Sequence, residues 1–200
     1  VLGMTYVPGV PIEDVIHEHQ EERKRVNRLL YDHHQIEVFG VRLVQTDRDS
    51  ANYSYDPAGG QVALLDIGAS RRFKAAFTGA YLDLLKAVVV NNQDAMAEAA
   101  NRIGYKLGTE PTPYRETILQ LATVVLAPLT RDEPYDFGAS ELPKQAVAMA
   151  GDIQRYREFW EAPPVDVAYI HRKIAGLFML ATRLKAQVNV NELLMPWLQD

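Results

Sequence analysis

Apolar residues recur with a helical period over most of the chain beyond residue 70. Phe73, Phe77, Ala80, Tyr81, Leu84 and Val88 stand at i, i+4, i+7, i+8, i+11 and i+15, one stripe on one helix. Asn91-Asn92 interrupts it. Met96, Ala100, Ile103 and Leu107 form a second stripe, which Gly108 is placed to cap. A third helix is expected from about Pro113 to Ala127, and a fourth from about Pro143 to Trp160, stopped by Pro163-Pro164. The last begins near Asp166, a residue type suited to an N-cap, and buries Ile170, Ile174, Leu177, Ala181 and Leu184.

The front of the chain is patterned differently. Residues 1–7 read as a short strand, ended by Pro8-Gly9 and Pro11. A helical stretch follows from about Glu13 to Phe39. Its first half, "EHQEERKRVNR", is charged on nearly every side and reads as a solvated helix face. "NYSY" and "QVALLD" are strand-like, and Asp56-Pro57-Ala58-Gly59-Gly60 between them reads as a hairpin connection. The fold class is mainly α: a helical bundle with one small β-hairpin near its front.

Composition bounds this picture without changing it. At 200 residues the chain suits one domain or the larger part of one, and 48% hydrophobic residues supply a core. A net charge of -5 without a basic block argues against nucleic acid as a partner. The absence of cysteine removes disulfides and thiolate metal sites and leaves the redox compartment open. No apolar run reaches membrane-spanning length. The start, "VLGMTYVPG", has no basic leader and lies inside an apolar run, as expected for a fragment that begins within a domain.

Candidate chemistry concentrates in "VQTDRDSANYSYDPAGGQVALLDIGAS". Asp47 and Asn52 are spaced D-x-x-x-x-N, and Asp66-Ile67-Gly68 follows the second hairpin strand. Phosphoryl transfer uses such a set: a carboxylate that orients the attacking hydroxyl, and an amide oxygen plus a second carboxylate that hold magnesium against phosphates. Magnesium keeps much of its shell for water and phosphate, so two protein ligands suffice. The hairpin would return the chain so that Asp66 faces Asn52, with Gly68 allowing a sharp turn. On pattern alone, an Asx-rich loop leading into a hairpin explains the same residues.

Three other motifs compete for attention. Asp136-Phe137-Gly138 matches the kinase metal-binding tripeptide. It has no D-x-x-x-x-N just upstream and no strand leading into it, and lies among Pro128, Pro134 and charged residues, so it reads as a loop between helices, away from the cleft. His171-Arg172-Lys173 opens the last helix, where positive charge opposes the helix dipole, so these cations should meet carboxylates elsewhere. His17 with His19, and His33 with His34, lack the i,i+4 spacing of a zinc site.

Together these segments resemble the C-terminal lobe of the UbiB/AarF atypical kinase-like family, in its coenzyme Q branch. "VLGMTYVPGVPIEDV", "VQTDRDSANYSYDP", "QVALLDIGASRRF", "DEPYDFGAS" and "YIHRKIAGLFMLATRLKAQV" carry the resemblance across most of the chain. In that family a DFG-like string and an HRK string recur outside the catalytic loop. The resemblance implies a kinase-like helical C-lobe over residues 13–200, preceded by a hinge strand and linker over 1–12, with the N-lobe absent. It implies ATP and Mg2+ as cofactors, Asp47 as the catalytic aspartate, Asn52 and Asp66 as metal ligands, and Met4, Thr5, Tyr6 and Val7 as the adenine-facing hinge. It further implies an ATPase or small-molecule kinase supporting quinone-lipid synthesis. A quinone-type lipid or membrane surface would be its partner, in a bacterial cytoplasmic, membrane-associated or mitochondrial setting. Arg48 replaces the family's usual Pro, and DIG replaces DFG.

Overall fold

The computed structural model describes residues 6–47, 49–153, 156 and 164–199. Seven α-helices carry most of it: α1 (Gln20–Gln35), α2 (Ala75–Val89), α3 (Gln93–Ile103), α4 (Pro113–Val125), α5 (Leu142–Ile153), α6 (Val165–Arg183) and α7 (Val190–Leu198). Three small antiparallel sheets join them. β1 (Val10–Pro11), β3 (Tyr53–Asp56) and β4 (Gln61–Leu64) form one, in the order β1-β3-β4. β2 (Leu43–Gln45) pairs with β5 (Ser70–Arg72), and β6 (Tyr135–Asp136) with β7 (Gln187–Val188).

The helical stripes pack as their periods require. Phe77, Ala80, Tyr81, Leu84 and Val88 of α2 and Met96, Ala100 and Ile103 of α3 are buried in the main core, with Leu119 of α4 and Val167 and Ile170 of α6. A second cluster joins Val26 and Leu30 of α1 to Tyr53 and Tyr55 of β3 and to Leu177, Leu180 and Leu184. The charged stretch at the start of α1 is exposed or half-buried up to Arg25, and a buried stripe begins at Val26. Val26, Leu30 and His34 recur at i, i+4 and i+8, while Arg23 reaches back to the Leu184 carbonyl. The hairpin forms between β3 and β4 in the register Tyr53↔Leu64 to Asp56↔Gln61.

Several boundaries differ from the sequence reading. Residues 1–5 of the expected first strand lie outside the described residues. Tyr6 and Val7 are not in a strand, which instead comes at Val10–Pro11. Pro11 is tolerated there because β1 is an edge strand and owes no N–H to a further neighbour. Gly9, at φ +146°, lies so close to β3 that a Cβ would clash with Ser54 Oγ. The stretch after residue 12 splits into a 3-10 turn (Ile12–His17), α1 and a π-helical turn (Ile36–Val41). α3 ends one turn before Gly108, at Gly104 (φ +114°), because the Asn101 side chain bonds the Leu107 N–H and the Gly108 carbonyl and replaces helix with a bound loop. Pro164, not Asp166, precedes α6, and Asp166 in its first turn pairs with Arg71 at 2.7 Å. The far end of the fourth helix, toward Trp160, lies outside the described residues.

Candidate active site

The two pairings of the central region bring the candidate residues to neighbouring strand ends. β2 and β5 end in the pair Gln45↔Ser70, and Thr46 continues the contact, its Oγ1 donating to the Ala69 carbonyl at 2.7 Å. Asp47 thus leaves β2 beside the 65–69 connection that carries Asp66. The β3–β4 hairpin closes from the other side. Tyr53↔Leu64 is its last ladder pair, and one residue beyond it the Leu65 N–H donates to the Asn52 carbonyl at 2.8 Å. Asn52 and Asp66 sit at the open end of one hairpin, one on each strand's continuation.

Side chains tie this end together. Asn52 Nδ2 donates to Asp47 Oδ2 at 3.2 Å. The Asp49 N–H donates to Asp47 Oδ1 at 3.3 Å, and Arg172 Nη2 stands 3.8 Å from the same oxygen. Asp66 Oδ1 accepts the Gly68 N–H at 2.7 Å. Gly68 has no positive φ, and its lack of a side chain serves another purpose. A Cβ there would sit 3.0 Å from Asp66 Oδ1, so the glycine leaves room for that carboxylate.

The donor set fits magnesium in kind. Asn52 offers an amide oxygen and Asp66 a second carboxylate oxygen, neither used in a hydrogen bond among the described residues. Both are hard ligands of the sort that leaves most of a magnesium shell to water and phosphate. Among the described residues no group of three or more His, Cys, Asp or Glu could hold a metal. Of the hinge candidates, Met4 and Thr5 lie outside the described residues, while Tyr6 and Val7 are exposed.

A cavity of about 420 Å³ opens beside Asp47, between the 47–53 segment and α6. Asp49, Arg172, Lys173 and Arg183 line it together with Leu177, Met179 and Leu180. Arg183 is held by Glu13, which also accepts from Ser50.

The HRK string supplies what motif matching alone did not place at the site. It begins six residues into α6, not at its first turn, and its cations meet carboxylates. Arg172 meets Asp47, and Lys173, almost wholly buried, meets Glu37 Oε2 at 3.0 Å. Lys173 also donates to the Tyr53 hydroxyl at 2.7 Å. Burial raises the Tyr53 hydroxyl's pKa, and the Lys173 cation partly opposes the rise. Glu37, in the π-helical turn, accepts the Gln45 N–H at 2.9 Å. Lys173 had a visible signal, being a charge on the apolar stripe between Ile170 and Leu177. Gln45 and Glu37 had none, because their contacts depend on pairings distant in sequence.

Asp136 lies elsewhere. Its carboxylate accepts from Gln187 Nε2 at 2.8 Å and from the Ala139 N–H at 3.0 Å, and these bonds hold its pKa below the ordinary carboxylate value. Phe137 is buried among Tyr31, Tyr135 and Phe178. His34 is buried and pushed down to about 3, by desolvation first and then by nearby Lys173.

The ABC1 atypical kinase-like domain matches residues 1–100, and the chain belongs to that family. Over 193 residues it is 30% identical to the mitochondrial atypical kinase COQ8B of Rattus norvegicus, covering 96% of this chain and 36% of that protein. The mitochondrial atypical kinase COQ8 of Saccharomyces cerevisiae is 26% identical over 196 residues, 96% of this chain and 38% of that one. The chain thus spans somewhat over a third of these relatives' length. A solved complex of Rv3197 with erythromycin from Mycobacterium tuberculosis shares the fold at a TM-score of 0.70 and 18% identity, covering 94% of this chain and 46% of that one.

Proposed function

We propose that this chain is the catalytic C-terminal lobe of an atypical kinase or ATPase that uses Mg-ATP and supports coenzyme Q biosynthesis. Residues 1–12 would serve as hinge and linker and 13–200 as the lobe. The observation that carries the reading is the convergence of Asp47, Asn52 and the Asp66 segment at the open end of the β3–β4 hairpin. Asp47 would orient the attacking hydroxyl and accept its proton, with Asn52 Nδ2 fixing the carboxylate. Asn52 Oδ1 and the second Asp66 oxygen would hold magnesium, which when bound neutralises charge developing on the phosphates. Met4 to Val7 would face adenine. The cavity beside Asp47 is lined by charged residues (Asp47, Asp49, Arg172, Lys173, Arg183) and by Leu177, Met179 and Leu180, so it offers both polar and apolar contacts to an acceptor such as a quinone-type lipid. The mitochondrial names of the relatives favour a mitochondrial setting, and no helix among the described residues is long and apolar enough to cross a membrane.

The test is Asp66→Asn in the full-length protein. Removing one preorganised electrostatic contact costs about 10²–10³ in rate, and loss of a metal-ligand charge should cost at least that, with the thermal melt unchanged. Normal turnover in this variant would show that Asp66 does not hold the metal. One observation favours a second reading, a scaffold of the same fold without turnover: both Asp47 oxygens are already engaged, by Asn52 and by Asp49 with Arg172. Wild-type protein that hydrolyses no ATP under any lipid condition would select it.

A further inference from the structure

The buried polar residues behind the proposed site form one connected network, and Gln45 is its junction. Gln45 is 1% exposed on the short strand β2. A buried amide is costly unless its donors and acceptor are used. Here Nε2 donates to the Asp66 carbonyl at 2.9 Å, and Oε1 accepts the Asp47 N–H. One side chain thus bridges the backbones of the two candidate aspartates. The backbone N–H of Gln45 donates to Glu37 Oε1, and Glu37 is in turn paired with Lys173. Lys173 reaches Tyr53, the residue directly after Asn52. Each of the three candidate site residues is therefore joined to the network or adjacent to a member of it.

The amide is not needed for strand pairing. The β2–β5 ladder is made by backbone, and an apolar side chain of similar length would fill the same space. Asp66 is exposed and Asp47 partly so, which lets water satisfy their backbone groups if the amide is removed. What the amide adds is a fixed spacing between the two segments that leave the ladder. The π-helical turn supports the same end. Its bond from the Arg42 N–H to the Glu37 carbonyl, five residues back, belongs to the widened turn that carries Glu37 inward, a feature frequent at functional sites.

We propose that Gln45 is a positioning residue that sets the separation of Asp47 and Asp66, and that the buried Glu37–Lys173 pair holds it in place. Its consequence for rate rests on the Mg-ATP reading; its geometry does not.

Two measurements on the full-length protein separate these. The first is hydrogen exchange at residue resolution. In wild type the Asp47 N–H should be strongly protected compared with the Asp49 N–H, whose acceptor is the partly exposed Asp47 carboxylate. Gln45→Met should abolish that protection. The second is steady-state ATP hydrolysis against magnesium concentration. Gln45→Met should lower kcat about 10²-fold, the typical cost of a small misplacement of reacting groups. It should also raise the magnesium needed for half-maximal rate, with little change in KM for ATP. If wild type turns over and a folded Gln45→Met matches it in kcat and magnesium demand, the positioning role is overturned and the Mg-ATP reading stands. If wild type does not turn over, the Mg-ATP reading fails and exchange alone decides. A wild-type Asp47 N–H that exchanges as fast as Asp49's overturns the proposal, even where no variant folds.

Discussion

Lys173 shows most directly what one residue can contribute here. Its side chain is 3% exposed, and that of Glu37 opposite it is nearly as hidden. Taking two charges out of water costs several kcal/mol each, and their attraction repays this only when both are present. Lys173→Met should therefore destabilise by about 3–5 kcal/mol, since it leaves a buried carboxylate unpaired. Adding Glu37→Gln should recover much of that, because the neutral amide can still accept the Gln45 N–H. Urea unfolding of the single and double variants measures the difference. A single variant no worse than an exposed substitution would mean that the pair is not buried in solution. The sequence carries half of this information. A lysine at i+3 from Ile170 and i−4 from Leu177 lies on a stripe that should be apolar, which marks it as a buried cation. Its partner is not legible, because Glu37 faces it only through a π-helical turn that no local pattern announces.

Among elements, legibility follows the range of the forces that build each one. α2 and α3 were readable from apolar period, and the β3–β4 hairpin from its turn residues, since both signals are local. The β2–β5 pair joins residues 43–45 to 70–72 and leaves no local trace. α7 was missed because Pro196 sits inside it, where a breaker would be read. The kinase-like tripeptide 136–138 illustrates the reverse case, a local signal whose meaning lies in tertiary contacts. Phe137 packs on α1 through Tyr31 (5.8 Å between centroids) and on α6 through Phe178 (5.2 Å). Asp136 closes the turn before α5 and bonds Gln187 of β7. The segment is a clasp between elements. Phe137→Ala should cost about 3–5 kcal/mol, as loss of a buried aromatic does. Asp136→Asn should leave the magnesium dependence of ATP hydrolysis unchanged. A lost or shifted magnesium requirement in Asp136→Asn would move the metal site to this clasp.

For the molecule as a whole, the burial that builds the fold also sets its response to acid. His34 on α1 is held neutral with its pKa pushed down to about 3, by desolvation and by Lys173. His33 is also lowered, chiefly by burial, with Lys173 adding to the effect and Glu37 opposing it. On α6, burial lowers His171, which packs near Tyr105. All three shifts have the same sign. An unfolded chain takes up these protons near the ordinary histidine value of about 6.5, whereas the folded chain takes them up only at lower pH. Stability from this source is therefore complete above about pH 6.5 and falls as pH drops toward the folded values. His34 alone should cost about 2 kcal/mol by pH 5, from about 1.4 kcal/mol per pH unit below its unfolded value. Asp136, whose pKa is lowered, adds a loss of the same sign only below about pH 4. Urea unfolding at about pH 7 and about pH 5 should thus show a marked loss of stability, and His34→Leu should make the difference smaller. Equal stability of the wild type at both values would mean that water or a carboxylate reaches these rings, and that α1 does not pack against the hairpin and α6 as tightly as the buried stripe of Val26, Leu30 and His34 requires.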